Sequence, residues 1–381
     1  MRVKILGGGP AGLYAGFRIK RQFPASEVVV YEQNAVGETF GFGVVFSDKA
    51  LEFLSAEDPE TLAAITAGLE SWSDIELRIH GESIRIDGVV FTAIARLRLL
   101  QVLRERAESA GVVLVNSKLI TDLAELGEAD LVIGADGVNS LVRRTYEKEF
   151  GTKLDLLNNR FAWFGATKPF NFLTQTFKAT PEGNFNAHHY RYSPDMSTFL
   201  VEVNEQTFDR IGFASMSEDE SRVKCEQVFA EELEGARLVT NKSLWRRFPN
   251  ISNAHWSAGK YVLVGDALRT AHFSIGSGTR LALEDVQALT KALAENPNSI
   301  PEALAAFEAG RRPIVDKLIA ASARSSGWYE KFEDHMKLPG WEFAMSYIGR
   351  SGRIDPERLR AMSPRFVAGF EAWRAAHPEF A

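Results

Sequence analysis

Apolar residues recur along the chain in three rhythms, and each rhythm predicts a different kind of element. Short, mostly apolar runs bounded by glycine or turn residues, at Val3–Leu6, Val28–Tyr31, Val112–Val115, Asp130–Gly134 and Tyr261–Val264, predict strands of a parallel sheet. Apolar positions spaced three and four apart predict helices over Leu13–Gln22, Asp48–Leu54, Pro59–Gly68, Ala95–Ala110, Ser217–Leu233, Thr279–Ala294 and Pro301–Ser325. Ser217 is the expected N-cap of its helix, because a hydroxyl there accepts from free backbone N–H groups and acids fill the first turn. Strict alternation at Ile75–His80 and Ser83–Ile86 predicts a β-ribbon. Four aromatic segments, Phe161–Thr167, Thr174–Lys178, Ala187–Tyr192 and Ser197–Val203, predict antiparallel strands with one covered face.

The order of these elements predicts an α/β chain with a Rossmann-like nucleotide domain in three pieces, residues 1–75, 95–160 and 250–325. A β-rich substrate domain, residues 76–94 and 161–249, interrupts it, and a helical segment, 326–381, follows. The nucleotide assignment rests on Gly7-x-Gly9-Pro10-Ala11-Gly12, placed between the first strand and the first helix. Gly7 allows a tight turn, Gly9 lets the backbone approach a pyrophosphate, and Gly12 brings helix against strand. Glu32 closes the second strand twenty positions after Gly12, where a carboxylate can accept hydrogen bonds from a ribose diol.

Charge and composition narrow the partners. With 44 basic and 50 acidic residues the net charge is -6, and no basic tract stands out, so nucleic acid is not an expected partner. The chain enters its first strand without a charged-then-apolar leader and has no run long enough to span a bilayer, which predicts cytoplasmic residence without membrane contact. Cys225 is the single cysteine, which excludes an intrachain disulfide or a CxxC redox pair, so any electron carrier must be a bound cofactor. The seven histidines show no metal-ligand spacing, and no metal site is expected.

Two later segments identify the cofactor. Asp130-Leu131-Val132-Ile133-Gly134-Ala135-Asp136-Gly137-Val138-Asn139-Ser140-Leu141-Val142-Arg143 resembles the DG fingerprint of the class A flavoprotein aromatic monooxygenases, and Tyr261-Val262-Leu263-Val264-Gly265-Asp266-Ala267 resembles their GD fingerprint. The resemblance implies a glutathione-reductase-type FAD-binding domain with noncovalent FAD, and NADH or NADPH as co-substrate. It further implies that Asp266 and Gly265 meet a ribityl or ribose hydroxyl, that Asp136 and Gly137 lie near the pyrophosphate, and that Val44 and Arg96 approach the flavin. Ser274-Ile275-Gly276-Ser277-Gly278-Thr279 supports flavin on physical grounds. Gly276 and Gly278 admit a flat ring, and the helix starting near Thr279 offers a positive dipole end to the electron-rich edge of reduced flavin.

Within that family the chain resembles a small branch, the salicyloyl-CoA 5-hydroxylases, the hydroxylase part of 2-aminobenzoyl-CoA monooxygenase/reductases, and the violacein-pathway indole monooxygenases. The segments Phe40–Ser47, His188–Tyr192, Met196–Phe199 and His272–Thr279 carry the likeness. The resemblance implies hydroxylation by O2 of an aromatic ring para to an OH or NH2, with salicyloyl-CoA converted to 2,5-dihydroxybenzoyl-CoA as the leading case. An indole or alkaloid substrate, or a non-catalytic flavin-binding homologue, is the alternative. A monomer or homodimer is expected. His188 is the candidate for orienting substrate or removing its proton, with Tyr190 and Tyr192 on the same face as candidate relays. The other reading makes His188 and His189 sheet residues with satisfied hydrogen bonds. His272 is expected to shape the flavin front, and His189, where relatives carry a small residue, to alter the pocket wall. Arg269 replaces a histidine of the CoA-thioester members. Arg191, Arg246 and Arg247 are candidates for CoA phosphates or plain solvated arginines.

Overall fold

A computed structural model describes residues 1–47 and 50–380. The apolar, glycine-bounded runs assemble one six-stranded sheet in the order Ser257–Ala258, Tyr261–Leu263, Leu131–Gly134, Arg2–Leu6, Glu27–Tyr31, Val113–Val115. All neighbours are parallel except the first pair. Val3, Ile5, Val30, Leu131, Ile133 and Val262 are fully or almost fully buried, as a sheet covered on both faces requires. Helices Pro10–Gln22 and Gly278–Glu295 pack against each other over it.

A second, eight-stranded sheet runs Leu238–Val239, Thr152–Ala166, Ser197–Val203, Gly183–Arg191, Leu173–Thr180, Ile75–Ile79, Glu82–Ile86, with Arg246–Asn253 paired to Thr152–Ala166. The predicted ribbon thus extends this sheet, by parallel pairing of Ile75–Ile79 with Leu173–Thr180. Its four aromatic strands do not have a single covered face. Ser197–Val203 is buried at every position. One face carries Phe164, Phe185 and Phe199, on which Phe229 packs; the other carries Phe177 and Tyr190, which join Trp328, Tyr329, Phe332 and Phe343 from the C-terminal helices. The covering helices lie far along the chain, so alternation within a strand gave no sign of them.

Other differences are local. Of the helix expected over Asp48–Leu54, Asp48 and Lys49 lie outside the described residues, and the helix found is Phe53–Glu57. The helix from Ser217 has the expected capping box, with Ser217 and Glu220 bonded reciprocally. It breaks at Phe229, however, whose fully buried ring sits against Phe185 and Phe199, so core packing overrides helical continuity. Helix Ile300–Tyr329 runs 30 residues through Pro313. No helix of the described residues is long and apolar enough to cross a membrane.

Candidate active site

The first glycine turn has the geometry its sequence demands. Gly7 has φ +98°, and a Cβ there would fall 2.3 Å from the Ala135 carbonyl oxygen. At Gly12 a Cβ would meet the Gly7 oxygen at 1.8 Å, so neither position tolerates a side chain. A Cβ on Gly9 would meet nothing within 4 Å; the space over it is open. Pro10 and Ala11 begin the helix, which has no side-chain cap and no acid in its first turn, leaving its N–H groups and positive dipole end free for an anion. Helix Gly278–Glu295 begins the same way, uncapped, with open space at Gly278 and Thr279 in its first turn.

Gly265, at φ +61°, joins these two helices. Its missing Cβ would lie 3.2 Å from the Ala11 Cβ and 3.3 Å from the Ala282 Cβ. Asp266 follows. Its side chain is open to solvent yet surrounded by protein, as at the floor of a deep cleft. Burial raises its pKa, while the Arg96 charge opposes the rise. Arg96 is held by its Nε donating to Thr39 Oγ1 at 3.0 Å. Asp136 accepts from the Leu141 N–H at 2.7 Å through Oδ2, and its buried Oδ1 has no partner. Gly137 has φ +72° with open space beside it. Arg143 donates to the carbonyls of Val138 and Ala267, tying the DG and GD turns together. Glu32 accepts from Gly8 N–H at 2.7 Å and from Asn34, which fixes the carboxylate at the end of its strand.

Gly276, at φ +57°, faces Val45, whose Cγ1 would be 3.2 Å from a Cβ there. Val45, not Val44, is therefore the side chain of that strand turned toward the glycine loop; Val44 points into the core of the first sheet, as alternation requires. Open space at Gly9, Gly137 and Gly278, two uncapped helix starts and the orphaned Asp136 oxygen together fit a dinucleotide laid across the strand ends.

Beside this cleft lies a buried aromatic cluster. His188 contacts Phe273 and Tyr329, with ring centres 5.3 and 4.9 Å away, and His272 packs on Phe248 and Phe273. Tyr329 donates its hydroxyl to Gln175 Oε1 at 3.1 Å, and Gln175 Nε2 donates to His188 Nδ1 at 3.0 Å. That arrangement leaves the imidazole proton on Nε2, which is buried without a hydrogen-bond partner 3.8 Å from Glu202 Oε2. Burial, reinforced by the His272 and Arg350 charges, holds His188 well below the usual histidine range. Burial pushes Glu202 up to about 8, with Asn159 donating to its Oε1 in opposition. Burial therefore disfavours the charged form of both groups. Burial brings His272 down to about 3; its Nδ1 lies 2.8 Å from Ser274 Oγ, and its N–H donates to Ser322, anchoring the glycine loop to helix Ile300–Tyr329.

Three expectations change here. Tyr190 shares a face with His188, but its hydroxyl donates to the Gly43 carbonyl at 3.1 Å, tying the Gly43–Ser47 strand to the larger sheet. His189 lies on the opposite face, stacked on Phe199 and bonded to Thr176 Oγ1, so it forms no part of the wall around His188. Arg269 makes a bidentate pair with Asp285, both bonds 2.7 Å. Of the arginines considered for phosphate, Arg191 pairs with Glu70 at 2.8 Å and Arg247 donates to the Leu157 carbonyl at 2.6 Å. Gln175, Glu202, Asp285, Tyr329 and Arg350 were not singled out from sequence, since no motif spacing marks them. A cavity of about 510 Å3 adjoins Arg96 through Thr39 and is lined by Phe40, Phe42, Tyr192, Asn241 and Lys242. Among the described residues no group of three or more His, Cys, Asp or Glu side chains could hold a metal ion.

A glycine-turn cleft that fits a dinucleotide lies beside this aromatic cluster, and comparisons with known proteins supply the class. Residues 124–322 match the FAD binding domain family, and the chain belongs to the flavin-dependent aromatic monooxygenases. It is 38% identical to salicyloyl-CoA 5-hydroxylase of a Streptomyces species over 100% of this chain and 75% of that protein. It is 37% identical to 3-hydroxy-4-methyl-anthranilyl-[aryl-carrier protein] 5-monooxygenase of Streptosporangium sibiricum, covering 88% of this chain and 90% of that one. Protodeoxyviolaceinate monooxygenase of Chromobacterium violaceum is 33% identical, over 93% and 96%. The fold matches 2-methyl-3-hydroxypyridine-5-carboxylic acid oxygenase with a TM-score of 0.71, 21% identity and 95% of each chain covered.

Proposed function

We propose that this enzyme hydroxylates an aromatic ring carried on a thioester, para to a ring OH or NH2, with salicyloyl-CoA going to 2,5-dihydroxybenzoyl-CoA as the specific case. The observation that carries this reading is the likeness, along the whole chain, to a hydroxylase of that name. The second relative also acts at position 5 of a benzoyl-type ring on a carrier. An indole substrate is the second reading, favoured by the likeness to the violacein-pathway enzyme.

FAD, when bound, accepts electrons from NADH or NADPH and activates O2. Gly7, Gly9, Pro10, Ala11 and Gly12 would hold its pyrophosphate, Glu32 a ribose diol, and Asp266 a ribityl hydroxyl, with Asp136 and Gly137 closing the other side. The free N-terminus at Gly278 and Thr279, next to the Gly276 turn, would favour negative charge on a ring held there. The rest of the work would fall to the aromatic cluster. Phe273, Tyr329 and Phe248 would shield the ring from water, and the unpartnered His188 Nε2 hydrogen would orient a ring oxygen. A neutral imidazole with so low a proton affinity suits donation better than proton removal. His272 shapes the loop, and the cavity beside Thr39 leaves room for the carrier arm.

Two experiments follow. Asp266→Ala should lose about 1.5–3 kcal/mol of FAD affinity, the worth of one hydrogen bond to a charged group, read by flavin fluorescence titration. Unchanged affinity would remove Asp266 from the cofactor site. For the substrate, oxidation of NADH or NADPH by the FAD-loaded enzyme should accelerate with salicyloyl-CoA and not with benzoyl-CoA. Acceleration by an indole and by no thioester would reverse the choice of substrate.

A further inference from the structure

One buried acid has no task in the account so far. Glu202 lies in the strand Ser197–Val203, 2% exposed, inside the second sheet. Among the described residues the one basic side chain within ion-pair distance of it is His188, whose Nε2 is 3.8 Å away and whose imidazole burial holds well below the usual histidine range. A carboxylate there would be a buried charge without a counterion. Burial, with Glu330 adding a second negative charge nearby, accordingly pushes Glu202 up to about 8. The favoured form is the acid, and its hydrogen needs an acceptor.

Three side-chain atoms on this face of the sheet are buried without partners: Asn186 Oδ1, His188 Nε2 and Glu202 Oε2. Asn186 and Glu202 stand directly opposite each other on antiparallel strands, so their side chains emerge side by side, and Asn186 and His188 share a face by alternation. Their neighbours fix the direction in which hydrogens can run. Tyr329 gives its hydroxyl to Gln175 Oε1, and Gln175 Nε2 occupies His188 Nδ1, so the imidazole hydrogen belongs on Nε2. Asn186 Nδ2 donates to the Thr176 carbonyl at 3.3 Å, which leaves Oδ1 as an acceptor. Asn159 Nδ2 donates to Glu202 Oε1 at 2.9 Å, so the acid's own hydrogen belongs on Oε2. One donor, one acceptor and one hydroxyl that serves as both are left over together, and a single chain uses all three.

We propose that Glu202 is a positioning residue for His188, present as the uncharged acid, with its hydroxyl donating to Asn186 Oδ1 and its Oε2 turned to the His188 Nε2 hydrogen. This rests on the hydroxylase reading and deepens it by saying what keeps the His188 hydrogen in place. At 3.8 Å the acid steers that hydrogen without holding it in a full bond, so a ring oxygen could still take it. Once ionised, the carboxylate would draw the hydrogen to itself, because a charged acceptor binds more strongly than a neutral one. The other titratable or charged groups bearing on the pair are Tyr329 and Glu330 at the end of helix Ile300–Tyr329, Tyr347 and Arg350 from the tail, His272 of the glycine loop, and His189.

The test is spectroscopic and uses FAD-loaded protein without substrate. Below about pH 8 the infrared spectrum should contain the C=O stretch of a protonated, hydrogen-bonded carboxyl that is lost above about pH 8 and is missing from Glu202→Gln throughout. Asn186→Leu, which removes the acceptor, should move that stretch to the position of an unbonded acid. In 15N-histidine NMR spectra, His188, assigned by its loss in His188→Ala, should carry its hydrogen on Nε2. Glu202→Gln keeps its oxygen toward Asn159 and turns its amide donor to His188, which should shift the hydrogen to Nδ1. The proposal is overturned by absence of the carboxyl stretch below pH 8, by a stretch unmoved in Asn186→Leu, or by a His188 tautomer unaffected in Glu202→Gln. A hydrogen found on Nδ1 in the unmodified protein would overturn it too, since the acid would then donate to His188. Should Glu202→Gln not fold, the unmodified protein and Asn186→Leu decide the matter alone. None of these signals needs an aromatic substrate, so their appearance without turnover of salicyloyl-CoA would refute the substrate reading and leave the role of Glu202 standing.

Discussion

Asp285→Ala should destabilise the protein by about 3–5 kcal/mol, the range for removing one partner from a buried charge pair. Asp285 is fully buried and accepts four hydrogen bonds: two from Arg269 at 2.7 Å, one from the Arg311 Nε at 3.2 Å and one from the Gly265 N–H at 3.3 Å. Its loss strands the Arg269 guanidinium in the interior, while Arg311 keeps Glu284. The damage should reach the cofactor, because the Gly265 turn that presents Asp266 hangs from this carboxylate. Thermal unfolding of FAD-loaded protein, followed together with flavin release, should show both effects. Glu371→Ala, which breaks the exposed 2.9 Å pair with Arg360, is the comparison, since such pairs contribute about 0–1 kcal/mol. Equal melting temperatures for the two variants would sink the account of this cluster.

His188→Ala should keep FAD and the fold but lower hydroxylated product per NAD(P)H by roughly 10²-fold, the cost of misplacing a reacting group by about 1 Å. Electrons would then leave as hydrogen peroxide. His188 is buried between Gln175, Phe273 and Tyr329, and its unpartnered Nε2 lies 3.8 Å from Glu202 Oε2. His189→Ala is the internal contrast. That ring is stacked at 5.0 Å on Phe199 on the opposite face of the sheet, so its removal should lower thermal stability while leaving product yield per NAD(P)H unchanged. Yield unaffected in His188→Ala, or lost equally in both variants, would demote His188 to a structural residue.

What could be read from the chain beforehand follows from the range of the interactions concerned. The turns at Gly7 and Gly265 were legible because their demand is local: each needs a positive φ or a side-chain-free approach that only glycine meets. Strand alternation also placed His188 and Tyr190 on one face, yet it could not say which face held the aromatic cluster, and His189 was expected in the pocket wall, where the structure does not put it. That depended on Tyr329, Phe273 and Arg350, contributed from far along the chain. Arg269 shows the same limit. From sequence it stood out only as the replacement of a family histidine, whereas its partner is Asp285 sixteen residues on, a buried structural pair. The second covered face of the aromatic strands was hidden for the same reason: the helices that cover it belong to the tail.

If the enzyme oxygenates a thioester-bound ring para to its hydroxyl, labelled dioxygen will show it. Turnover of salicyloyl-CoA with NADH or NADPH under 18O2, with the product resolved by mass spectrometry and its ring position by NMR, should give 2,5-dihydroxybenzoyl-CoA carrying one 18O at position 5. Recovery of unmodified salicyloyl-CoA with stoichiometric hydrogen peroxide, or a hydroxylated product free of label, would contradict it.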